Sequence, residues 1–192
     1  MAIHLLFSER ARSLVNVKNL LLLFESFIAN INDYTNNPEF ITIVINELHL
    51  CDDRIQEGST YFASLMRNGN LSIRRQCLTR IQGALAEKAD NEEFMMWCLP
   101  LVVSCIGQNS TLTLLSCSIL ESVIALGSYT DLVVSALSIS KDKIHFLVEN
   151  PLFSDLVIEC ISTDAGFSLF EEEFHFVSML LDSFMVNFVL CL

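Results

Sequence analysis

Asparagine stands at the head of an apolar run at four points of this chain: Asn37-Pro38, Asn70, Asn109 and Asn150-Pro151. An Asn side chain accepts from the free N–H groups of a helix's first turn, and a Pro at the first helical position lacks only an N–H that would have no partner there. The stretch Asn-Pro-Glu-Phe-Ile-Thr-Ile-Val-Ile-Asn at 37–46 is similar to Asn-Pro-Leu-Phe-Ser-Asp-Leu-Val-Ile-Glu at 150–159. The offset from Asn37 to Asn150 is close to three equal units, and the step from Asn70 to Asn109 between them is close to one such unit. The spacing predicts helical hairpins recurring about every 40 residues. Asp90 and Glu93, in capping-box spacing, predict a further helix start. With only three Pro and six Gly in 192 residues, the many tight turns of a sandwich or barrel have no material.

The segment 71–88 shows the pattern most clearly. Ile73, Cys77, Ile81, Ala84 and Leu85 share one helical face, whereas Arg74, Arg75, Gln82 and Lys88 lie toward the other. The runs 101–106 and 112–126 are apolar nearly all round, with Ser and Cys where helices approach closely, as expected of helices packed between neighbours. The β-branched stretches 41–45 and 132–134 leave a strand reading open, although strict alternation is missing.

The residues Asn70-Leu71-Ser72-Ile73-Arg74-Arg75-Gln76-Cys77-Leu78-Thr79-Arg80-Ile81 resemble the second helix of HEAT and armadillo-type repeats: a polar cap, an aliphatic residue, Arg, a small residue, then Leu. Asn109 to Leu120 is similar but lacks the Arg. The resemblance spans about residues 38–162 at superfamily level. It implies an all-α fold, an α-solenoid of antiparallel helical hairpins, and a non-enzymatic scaffold or adaptor that binds other proteins along its helical surface.

Composition sets bounds on that expectation. The chain is 52% hydrophobic and 18% charged, outside the regime of disorder and long enough for a substantial core. Residues 1–88 carry nine basic and nine acidic side chains, and residues 89–192 carry two and fourteen, so the whole net charge of −12 falls in the second half. That acidity argues against nucleic acid as a partner. The seven Cys are odd in number, form no Cys-x-x-Cys and sit in apolar runs, which predicts reduced core thiols and an intracellular protein, cytoplasmic or nuclear. Leu14 to Ile31 and Phe176 to Leu192 are each interrupted by polar or charged residues, so membrane association is disfavoured. An adaptor with an apolar C-terminal anchor is the alternative reading of the second segment. Repeat arrays need polar ends, yet Leu20 to Phe24 and Val186 to Leu192 are strongly apolar. The chain is therefore expected to be one helical-repeat domain over 1–192, part of a longer solenoid or self-associating through its apolar terminal helices.

No phosphate-binding glycine loop, nucleophile elbow, His-Glu-x-x-His or EF-hand loop occurs, so neither catalytic residues nor a cofactor is expected. Asp142-x-x-His145 and Glu172-x-x-His175 have the carboxylate-imidazole spacing of di-iron bundles, but the further carboxylates are lacking and Lys141 and Lys143 flank the first pair. A metal-dependent bundle enzyme is the remote alternative. The candidate partner-binding residues are charged. Arg67, Arg74, Arg75 and Arg80 cluster closely in the sequence and suit bidentate pairing with the carboxylates of an acidic peptide. The competing reading is a ladder between repeats or a solvated face. Glu171, Glu172 and Glu173 are the second candidate, to steer a basic partner; otherwise they open a terminal helix and complement its dipole.

Overall fold

In the computed structural model, residues 56–174 and Ile45 are described. They form eight α-helices and a short 3-10 turn, with no strand among the described residues: α1 (Gln56–Asn68), α2 (Leu71–Leu85), α3 (Glu92–Ser104), α4 (Ser110–Ala125), α5 (Thr130–Ser138), α6 (Lys141–Glu149), the 3-10 turn Pro151–Phe153, α7 (Ser154–Ile161) and α8 (Asp164–Phe174). The fold is all-α.

The caps determine where helices begin. Asn70 Oδ1 accepts from Ile73 N at 3.1 Å, Asn91 Oδ1 from Phe94 N at 2.8 Å and Asn109 Oδ1 from Thr111 N at 2.9 Å. The start near 90 is thus capped by Asn91, not Asp90, because Asn91 stands in extended backbone immediately before the first helical residue. Asn150 accepts from Leu152 N at 3.2 Å, but what it opens is the 3-10 turn, and the α-helix proper starts only at Ser154. Helix ends use glycine: Gly107 and Gly127 adopt φ of 75° and 78° after α3 and α4, a region costly for any residue with a Cβ. Leu132, Val133 and Val134 lie in α5, so the strand reading fails there; Val133, Val134 and Leu137 pack inward at helical spacing. Of 41–45 only Ile45 is described, and it is helical and buried.

Packing follows the apolar faces. α1 packs on α3, α3 on α5 and α5 on α8, while α2 packs on α4 and α4 on α7; α6 bridges α5 and α7. The seam is filled by one continuous core that includes Phe62, Leu65, Ile73, Leu78, Ile81, Phe94, Leu99, Ile119, Leu120, Val133, Leu156 and Phe170. Trp97 of α3 meets Phe62 of α1 and Phe94 edge-on, with ring centroids 5.8 and 5.6 Å apart, the arrangement favoured by aromatic quadrupoles. The expectation that α4 is enclosed on all sides holds only in part: Leu112, Ser116, Ile119, Leu120 and Val123 are buried, but Leu114 is 54% exposed.

Candidate interaction surfaces

The four arginines do not form one surface. Arg67 ends α1 and is exposed, Arg75 is exposed on α2, and Arg74 and Arg80 are half-buried. Arg74 is committed within the fold. Its Nε donates to Gly69 O at 2.8 Å, one Nη to Arg67 O at 2.8 Å, and the other Nη to Gln108 Oε1. It holds the α1–α2 turn and ties it to the α3–α4 turn. In the next hairpin Thr113 takes the place that Arg74 has in its own, and its Oγ1 accepts from Gly107 N at 3.0 Å, so both residues secure the turn before their helix. Arg80 Nε is buried without a hydrogen-bond partner. Arg75 and Arg67 remain as arginines with exposed side chains.

Glu171 is half-buried and Glu172 exposed in α8, which begins two turns earlier at Asp164. They therefore do not open a helix, and the expectation of dipole compensation by this triplet fails; Asp164 occupies the first turn instead. The side chain of Glu173 and the segment 175–192, including His175 and the apolar tail, lie outside the described residues, as do Leu20 to Phe24.

A carboxylate group that the sequence reading missed spans α4 and α7. Burial raises the Glu121 carboxyl above its ordinary value, and the charges of Glu159 and Asp155 raise it further. Ile158, 58% exposed, lies among them on α7. Glu121 is far from the other two acids along the chain, and only the packing of α7 on α4 brings the three together.

A third surface is a shallow apolar groove between α3 and α5, lined by Met96, Leu99, Pro100, Leu132, Ser135, Ala136 and Ile139. Met96 is 60% and Ile139 73% exposed. Pro100 lies inside α3 and has no N–H, so the Met96 carbonyl lacks the bond a helix ordinarily supplies from the following turn. The sequence signal was available: a Pro in mid-helix beside a Met one turn earlier.

The described cysteines, Cys77, Cys98, Cys105, Cys117 and Cys160, are all buried and unbridged. Burial pushes the Cys117 and Cys160 thiols up to about 12, with Glu121 and Glu159 respectively adding to the effect, and it raises Cys77 and Cys105 as well. Such thiols are poor nucleophiles. Among the described residues no group of His, Cys, Asp and Glu has the arrangement of a metal site. His145 Nδ1 lies 3.2 Å from Glu149 Oε1, one turn on, and Asp142 pairs with Lys143 at 3.0 Å. No described helix is long and apolar enough to cross a membrane. In comparisons with known proteins, no family model, curated protein or solved structure matches this chain.

Proposed function

We propose that this chain is a non-enzymatic protein-interaction scaffold, built as an α-solenoid of helical hairpins about 40 residues long. The observation that carries the reading is the order of packing: α1, α3, α5 and α8 follow one another in one row and α2, α4 and α7 in a second. Successive helices of a row start roughly one such repeat apart, with a longer step from α4 to α7, where α6 and the 3-10 turn are inserted. Asn70 and Asn109 cap equivalent helices, and Arg74 and Thr113 brace equivalent turns. Each hairpin leaves outward faces that its neighbours do not cover, and these carry Leu114, Ile158, Met96 and Ile139. Exposed apolar residues set among charges are suited to binding proteins, with the apolar groups supplying affinity and the charges selecting the partner.

The test is crosslinked capture from a cell extract followed by mapping of the crosslinked peptides. The expected result is a reproducible protein partner whose crosslinks fall on the outward faces of the two rows. Retention of no protein beyond that held by an unrelated acidic helical protein would refute the scaffold reading.

A further inference from the structure

The groove between α3 and α5 has a charge pattern that narrows what can fill it. Glu92 and Glu93 open α3 one turn before Met96, hence on its face of the helix. Asp131 opens α5 beside Leu132 and one turn before Ser135. All three carboxylates are exposed. Helices α3, α5 and α8, successive members of one row, contain acidic residues and no Lys or Arg. Lys141, the nearest base along the chain from Ile139, belongs to α6 and is engaged within the fold.

C-terminal to those charges on both helices, the groove floor is apolar and adaptable. Leu132 and Ala136 of α5 and its C-cap residue Ile139 recur at helical spacing over about 10 Å, enough to meet two turns of an occupant. Met96 is flexible and polarizable, able to fit apolar groups of differing shape. A helical groove wall offers no strand edge, so main-chain pairing is unavailable to an occupant and recognition depends on side chains.

We propose that this groove docks a basic amphipathic helix of a partner protein, with its apolar face on Met96, Leu132 and Ile139 and its Lys or Arg residues toward Glu92, Glu93 and Asp131. The inference rests on the scaffold reading and specifies its surface and its partner's chemistry. An acidic or neutral helix would leave the three carboxylates uncompensated at the rim. A basic one gains attraction at long range and apolar burial on contact.

The experiment is calorimetric titration of the full chain with a synthetic helix of about 18 residues, Leu on one face and Lys on the other. Two controls accompany it: a scrambled peptide of the same composition, and the same helix with Glu for Lys. The amphipathic basic helix is expected to bind at least about tenfold more tightly than the scrambled one, and the acidic helix not to bind. Met96→Ser/Ile139→Ser, which alters two exposed side chains and no charge, is expected to weaken binding at least about tenfold while circular dichroism stays unchanged. Equal binding of scrambled and amphipathic peptides, or full affinity in the double variant, would mean a charge effect without a groove and would overturn the proposal. So would a wild-type dimer in light scattering that the double variant abolishes, since a second copy would then be the occupant. If crosslinked capture succeeds while these titrations fail, the scaffold reading stands and only this surface is wrong.

Discussion

Replacement of Gly166 by Ala tests the tightest of the described glycine sites. Gly166 is buried in the first turn of α8, where the chain turns back after α7. A Cβ placed there would lie 1.9 Å from Cys160 O and 2.7 Å from its carbonyl carbon, both backbone atoms that cannot rotate away. Even to reach the 3.0 Å lower limit of real Cβ contacts, the corner must open by about 1.1 Å. That corner is held by Thr163, whose Oγ1 donates to Cys160 O at 3.1 Å and accepts from Gly166 N at 3.1 Å, while its N–H reaches Cys160 O at 3.3 Å. A shift of that size takes the two bonds to Cys160 beyond hydrogen-bonding distance, at a cost of about 1 kcal/mol each. It also draws Phe170, 1% exposed, partly out of the core, for roughly another 1–2 kcal/mol. The better helix propensity of Ala returns about 1 kcal/mol, leaving a net loss of about 2–3 kcal/mol. Urea unfolding followed by circular dichroism measures it as a lower midpoint at unchanged slope. A midpoint equal to wild type would refute the close approach of α8 to Cys160 and the packing of the corner derived from it.

Gly83→Ala is the opposite case: nothing lies within 4 Å of the added Cβ in α2, so stability should rise by about 0.5–1 kcal/mol in the same urea assay. Arg74→Ala removes three bonds that tie two turns together and should cost about 1–3 kcal/mol, whereas Arg75→Ala, on the exposed face, should leave thermal unfolding unchanged. Cys77, Cys98, Cys105, Cys117 and Cys160 should resist iodoacetamide at about pH 8 and react once guanidinium unfolds the chain, as read by peptide mass mapping. The Glu121 carboxyl is raised in the folded state, so that state binds its proton more tightly than the unfolded chain does, and stability from this group grows as pH falls through the raised value. Glu121→Gln should therefore be the more stable form near pH 7, and its advantage should shrink on acidification below that value, measured by thermal unfolding across pH.

How much was legible beforehand can be seen at individual residues. The caps at Asn70 and Asn109, the buried stripe Ile73-Cys77-Ile81-Ala84-Leu85 and the buried thiols follow from local chemistry: a short polar side chain within reach of the next turn's backbone, and apolar groups recurring at the helical period. At 132–134 β-branching left a strand reading open beside the all-α expectation, and the structure closes it, because packing against neighbouring helices outweighs a preference of about a few tenths of a kcal/mol. The Glu171–Glu173 triplet misled, as a run of acids suits a helix start but does not define one, and Asp164 had already opened α8.

The sequence alone thus determined that the described residues are helical, where several of their helices begin and which faces turn inward, since these depend on interactions within about one turn. The tertiary structure decided what the outward groups do. Arg74 and Arg75 are neighbours in sequence and alike in chemistry, yet one braces two turns through Gln108, in a later hairpin, and the other is exposed. Glu121, Asp155 and Glu159 became a group, and Met96 and Ile139 the lips of one groove, only when helices distant in the chain were laid side by side. Electrostatic and apolar contacts act through space over a few ångströms, and only packing sets which residues fall within that range.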